Sequence, residues 1–478
     1  MINAQDEKII EQFKFEAKNF PQDIAYKKQL ATACGLNESD FHLLAPIVGE
    51  YELKSIIENL QEKNYMPGFR HNLSEVDSHD KKYIESGEFK ANLHIHTIHS
   101  DGRLNTDEFL EQAVSLADAN IKKSKNKPAL LLAITDHDCI DGAKEVLTKI
   151  SKNPTKFKHV KIVLGVELST LSNKFKHLKK AMLMHTHMFC INPFDKDLNK
   201  FIDTKRELKY KLANETIKEL NLAIEPILKR FKTKLTLEEA SLIHELVTKG
   251  QDEVYLPMKK YVGGKLLFTN YVLENQQILN ELKNNGIKEN ELSYELPYTK
   301  YKFMFKQGGG YTENYKIALN IFLQNLIKEK TGKNVDFSEI ISTKDKEVEI
   351  SINTALEISK LAHPSLTTMP EAFDEFESTL ALLSSKCFGV FSIAHPARTV
   401  VKDADTDLYS LFENMFETFK KFAGEKALYY EGYYQSYSGQ KYLEYLEPIN
   451  KAAKKFGLTP VGGLDSHGES ITCRGGNP

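Results

Sequence analysis

The sequence predicts an α/β protein on a barrel related to the TIM type, with a helical N-terminal extension and a large, mostly helical insertion. Three observations carry this expectation. Apolar runs of strand length alternate with helical stretches, first over residues 89–205 and again over 386–478. Seven such runs can be counted, ending near residues 96, 135, 168, 191, 395, 434 and 467. Histidines and acidic residues collect at those ends, where barrels of this kind place their chemistry.

Residues 1–88 are polar and helical in pattern, with apolar residues at helical spacing over 6–15 and 52–62 and a helix start at Asn37-Glu-Ser-Asp. They offer no chemistry that can be named. From residue 89 an alternating strand runs to His96, and Asn105-Thr-Asp-Glu opens a helix with acids in its first turn. Residues 129–135 form a continuous apolar run, which reads as a strand covered on both faces. Asp141 is placed as the cap of the next helix. Strands are expected over 159–168 and 181–191, and the βαβαβ rhythm implies parallel pairing with helices outside. Residues 206–385 are Lys- and Glu-rich and read as the insertion. Their Gly308-Gly-Gly lacks the Lys-Ser/Thr ending of a P-loop. The strand–helix rhythm returns with strands at 387–395, 427–434 and 459–467 and helices at 407–423 and 439–456.

Composition narrows the function. The chain has 478 residues, 41% hydrophobic and 27% charged, within the range of globular proteins. A net charge of −2 does not resemble a dedicated nucleic-acid binder. Five widely spaced cysteines without a CxxC pair argue against a disulfide framework and a thiolate zinc site. The first residues lack an apolar signal core, and no stretch approaches the ~20 apolar residues of a membrane helix. A cytoplasmic enzyme without a membrane partner is the expectation. Oligomeric state is not legible.

The strand-end residues form a constellation. His94 and His96 lie two apart, so on a strand they share a face, and Asp101 follows in the turn. Asp136, His137 and Asp138 follow the second strand, Glu167 ends the third, and His185 and His187 share a face of the fourth. His395 ends the fifth, and Asp465 and His467 end the seventh. Imidazole and carboxylate without thiolate suit Zn, Mn or Fe ions. There are more ligands than one ion can use, so two or three divalent ions are expected.

These residues also carry a resemblance. Asn92-Leu-His-Ile-His-Thr-Ile-His-Ser-Asp-Gly, Ile134-Thr-Asp-His-Asp, Gly165-Val-Glu-Leu-Ser, Ala394-His-Pro-Ala-Arg and Gly462-Gly-Leu-Asp-Ser-His-Gly resemble, in order, the motifs of the PHP (polymerase and histidinol phosphatase) family. The resemblance covers residues 89–205 and 386–478. It implies a distorted seven-stranded (β/α) barrel, often with three metals. It implies His94, His96, Asp101, His137, Glu167, His395, Asp465 and His467 as ligands, with one further histidine on the fourth strand. Asn192-Pro193 stands where the family has Asp-Pro, which favours His185 over His187. Asn92 and Leu464 replace the usual Asp and Ser, and the segment after Glu431 lacks a histidine often seen there. The resulting expectation is a metal-dependent phosphoesterase: a metal-activated hydroxide would attack a small phosphorylated substrate, the phosphomonoester of a metabolite or nucleotide. Arg398 would fork onto the phosphate, and His99 or Asp138 would supply the acid. A nuclease using lysine runs at 174–180 and 205–211 is one alternative. A non-catalytic metal-binding regulator is another.

Overall fold

The structure is a computed structural model. It describes residues 14, 17–62, 91–206 except 101, 103, 124–129 and 173–181, then 208, 327–328, 331–334, 374–397, 407–434, 440–467 and 471. Asp101, Arg398, the triple glycine and the lysines at 174–180 lie outside the described residues. The chain divides into two compact units, residues 1–205 with 373–476 and residues 206–372 with 477–478. The first unit holds the sheet and its helices.

That sheet is a nearly closed barrel. The strands are β1 (Ala91–Asn92), β2 (Leu130–Ile134), β3 (Val160–Ser172), β4 (Met182–Phe189), β5 (Asp374–Glu375), β6 (Val390–Ile393), β7 (Ala427–Tyr434) and β8 (Thr459–Gly463). The order is β1-β2-β3-β4-β6-β7-β8, with β5 added beside β3. Backbone bonds past the ends of β1 and β8 close the ring: Leu93 N donates to Gly462 O (3.1 Å) and His96 N to Ser466 O (3.0 Å).

The expectation of parallel pairing throughout is corrected here. β4 runs antiparallel to both β3 and β6. Only residues 173–181 join β3 to β4. A parallel pair needs a crossover of about a dozen residues or more, usually a helix. β3 also continues to Ser172, so Glu167 lies within the strand rather than at its end.

Helices cover the outside: α1 (Asp23–Ala33) and α2 (Glu50–Glu62) from the N-terminal segment, then α3 (Thr106–Lys123), α4 (Asp141–Lys152), α5 (Phe376–Lys386), α6 (Leu408–Ala423) and α7 (Gln440–Lys455). α3 opens with a reciprocal cap: Asn105 Oδ1 accepts from Glu108 N and Glu108 Oε2 from Asn105 N, both at 2.9 Å. Asp141 is the first residue of α4 and not its cap, a position held by Ile140. An acid there still favours the positive helix start. No helix among the described residues is long and apolar enough to cross a membrane.

The N-terminal segment completes the barrel unit. α1 and α2 pack on it, and Ile47 adds a parallel bridge to Ile162 of β3. Tyr26 donates its hydroxyl to Ile191 O at 2.9 Å. The buried Glu52 carboxylate lies 2.6 Å from Lys161 Nζ and 3.4 Å from Lys27 Nζ. Asp23 accepts the backbone N–H groups of Tyr51 and Glu52. Gly49 has no Cβ because one would run into the Asp23 carboxylate.

Candidate metal centre

Glu167 is the hub of the site. Its side chain is fully buried on β3, where an isolated carboxylate would be costly unless paired. Its Oε2 lies 2.9 Å from His94 Nε2, 3.2 Å from His96 Nε2 and 3.2 Å from His137 Nδ1. Its Oε1 lies 2.9 Å from His185 Nδ1 and 3.1 Å from His395 Nε2. Burial opposes the charge of Glu167, yet His137, His94 and His185 hold the carboxyl well below its usual range. Burial likewise pushes His94 down, but Glu167, Asp465 and Glu431 raise it well above the usual histidine value.

Three overlapping donor groups result, and within each the ligand atoms lie within 4.8 Å of one another. They are His94, His96, Glu167 and Asp465; His137, Glu167 and His185; and His96, His137 and His467. His96, His137 and Glu167 each belong to two. Nitrogen and carboxylate oxygen donors in this arrangement could hold a metal ion. Their elements bring them together: β1 leads to His94 and His96, β2 to His137, and β8 to Asp465 and His467. His137 forms a bridge with Glu167, and Glu167 N donates to Asp136 O at 3.2 Å. His467 Nδ1 lies 2.9 Å from Asp465 O, which leaves Nε2 for a ligand.

His185 and His187 separate. His185 is paired opposite Ser169 and reaches Glu167. His187, opposite Glu167 in the register, lies deeper. Its ring meets the His94 ring edge-on at 4.2 Å and stacks on Phe189 at 5.2 Å. Neither ring nitrogen has a hydrogen-bond partner among the described residues. Burial, then the neighbouring His94, holds it well below the usual histidine value. His395 touches Glu167 but stands outside the three donor groups.

The proton-donor candidates also separate. His99 is 27% exposed, with Nε2 2.8 Å from Glu145 Oε2. Partial burial opposes the Glu145 charge, but bonds from Lys149, His99 and Thr106 bring its pKa to about 2. Asp138 is buried and pinned: its Oδ1 accepts from Ser169 N (3.1 Å) and lies 2.9 Å from Lys205 Nζ. A carboxylate beside a buried ammonium suits a fixed anion better than a general acid. Lys205 is itself buried, so it is not a surface lysine for binding phosphates.

Several contributors carry weak sequence signals. Asp136 accepts from Thr97 N (2.6 Å) and Ser100 Oγ (2.7 Å), and so shapes the turn after His96. Asn92 Oδ1 accepts from His94 N (3.1 Å) and Leu464 N (3.0 Å), which joins β1 to the end of β8. Glu431 is a lone acid in an aromatic strand. Four described non-glycine residues have positive φ, and three of them, Asp138, His395 and Asp465, belong to this region. Such strain concentrates at functional sites.

No family model matches the chain, and no curated protein matches it. Among solved structures, the chain is similar to an amidohydrolase from Chromobacterium violaceum with bound sulfate and no metal, at 17% identity and a TM-score of 0.40, over 80% of this chain and 93% of that one. It is also similar to a protein from Bifidobacterium adolescentis assigned by inference as a metal-dependent phosphoesterase, at 15% identity and a TM-score of 0.37, over 80% and 88% of the two chains.

Proposed function

We propose that this chain is a metal-dependent phosphoesterase of the PHP type that hydrolyses the phosphomonoester of a small metabolite or nucleotide. The observation that carries the reading is the sharing of His96, His137 and Glu167 among three donor groups, which suits a centre of two or three ions rather than one. The order of the motifs along the sequence supports the same assignment. His94, His96, Glu167 and Asp465 would hold one ion, with His137, His185 and His467 extending the set; His395 and Asp101 are proposed to complete it. Divalent ions held by such donors supply Lewis acidity toward phosphoryl oxygens and toward water.

The chain's own residues do the rest. His185 and His467 are part-exposed, at 14% and 23%, while His94, His96, Glu167 and Asp465 are buried. A phosphate ester would therefore meet the set from the side of His185 and His467. We assign Arg398 to the non-bridging phosphate oxygens, where a guanidinium can bind two at once. We assign His99 as the general acid: Glu145 takes its Nε2–H, so the proton for the leaving-group oxygen comes from Nδ1. Asp138, held by Lys205, fixes the loop beside His137.

The test is hydrolysis of p-nitrophenyl phosphate, a bis-ester, oligonucleotides and a nucleotide panel by protein reconstituted with Mn, Zn or Fe. His94→Ala and Asp465→Asn are assayed alongside. Metal-dependent release of phosphate from monoesters, lost in both variants, is the expected result. Cleavage confined to bis-esters or oligonucleotides would replace the phosphatase by a nuclease. Stoichiometric metal binding without turnover on any substrate would point to a regulator.

A further inference from the structure

We infer that Glu431 is a positioning residue that aims His94 and the His395 turn at the metal centre, without itself being a ligand. The inference rests on the metal-centre reading. Glu431 is buried on β7. A buried acid in a strand of tyrosines needs partners that justify its presence.

Its partners are specific. His94 presents two ring nitrogens to two different surroundings: Nε2 faces Glu167 and Asp465, at 2.9 and 3.2 Å, while Nδ1 faces Glu431 Oε1 and Oε2 at 3.2 and 3.4 Å. A carboxylate behind Nδ1 places the proton there and leaves the Nε2 lone pair for a cation. The other contact is to the backbone: His395 N donates to Glu431 Oε2 at 2.7 Å. His395 has φ of 23°, which a non-glycine residue adopts only when its surroundings hold it there. One carboxylate thus fixes a ligand just past β1 and the turn that ends β6.

Gly463 makes room for this arrangement. A Cβ there would collide with Glu431 Oε1 and with His94 Cβ. The second glycine of Gly462-Gly463 therefore serves the carboxylate rather than a turn. Glu431 belongs to none of the three donor groups.

The experiment is a double-mutant cycle in metal affinity on the full chain. Zn or Mn affinity and stoichiometry are measured by competition with a chromophoric chelator and by elemental analysis, with circular dichroism as the check on folding. The proteins are wild type, Glu431→Ala, Glu431→Gln, His94→Ala and the two double variants. Glu431→Ala is expected to weaken metal binding roughly 10- to 100-fold with stoichiometry unchanged. Glu431→Gln keeps one acceptor and is expected to lose less. In the His94→Ala background both changes should cost little further. Should Glu431→Ala fail to fold, the Gln arm carries the same cycle. Loss of a whole ion in either variant would make Glu431 a ligand and overturn the inference. Unchanged affinity, or equal losses with and without His94, would overturn it too. A wild-type chain that binds no divalent ion would remove the metal-centre reading itself, a separate outcome.

Discussion

The two histidines of β4 lead to opposite predictions. β4 enters the sheet beside the end of β3, so His185 comes first and His187 second, opposite Ser169 and Glu167 respectively. His185 keeps a nitrogen on Glu167 at 2.9 Å. His187 is 1% exposed, packed against His94 and Phe189, with both ring nitrogens unpaired among the described residues. A neutral imidazole buries one donor and one acceptor there, and each unmet group costs about 1–3 kcal/mol. His187→Leu removes both and keeps an apolar side chain of comparable size; imperfect fit takes back up to about 1.5 kcal/mol. The net gain is about 0.5–6 kcal/mol, or, at about 2 °C per kcal/mol, roughly 1–12 °C in the melting temperature of a large domain. Calorimetry on chelated protein, with elemental analysis of reloaded protein, reads both consequences. His187→Leu should melt higher and load the full complement of metal. His185→Ala should lose affinity for the ion held with His137 and Glu167. Metal loss in His187→Leu together with full loading in His185→Ala would refute the reasoning, as would a marked fall in the stability of His187→Leu.

Two further outcomes are expected from the structure. Glu52→Gln removes the carboxylate that pairs with the buried Lys27 and Lys161 and should cost about 3–5 kcal/mol at neutral pH by chemical denaturation. Burial raises the Glu52 pKa, but Lys161 and Lys27 outweigh it and leave it below 4.5. Its contribution is therefore complete above pH 4.5 and fades as pH falls through the lowered value, so wild type and variant should converge in acid. His99→Ala should slow hydrolysis of alkyl phosphates by about 10²- to 10⁴-fold, yet barely change that of p-nitrophenyl phosphate, whose leaving group needs no proton. Equal losses on both esters in steady-state assays would remove His99 from the acid role.

Much of this architecture was legible because local rules and tertiary structure agree. The apolar run at 129–135 is β2, the Asn105 cap opens α3, and six of the expected ligand positions fall within the three donor groups together with His185. The N-terminal segment was less legible, because its role is carried by contacts far apart in sequence. Lys27, Glu52 and Lys161 look like ordinary surface charges until the fold buries them together. Lys205 is similar: in a lysine-rich stretch it reads as solvated, yet it neutralises Asp138 inside the barrel unit. Glu431 and Asn92 act on the backbone and on ring orientation, roles that leave no spacing pattern in sequence.

The reversal of β4 shows why the remaining error matters. A strand ending at Leu168 would put Glu167 at a rim, near water, where a carboxylate is a weak hub for several imidazoles. Beyond Leu168 stand the polar residues Ser169, Thr170 and Ser172. They instead continue β3 alongside β4, and Ser169 N is spent on Asp138 rather than on solvent. The antiparallel arms of β3 and β4 extend past Glu167, which is fully buried, and β4 brings His185 Nδ1 to 2.9 Å from its carboxylate. Low polarity strengthens every interaction of that carboxylate. The depth of the centre, and with it the division of labour between His185 and His187, follows from the antiparallel pairing of β3 and β4, whose connection is shorter than a parallel crossover needs.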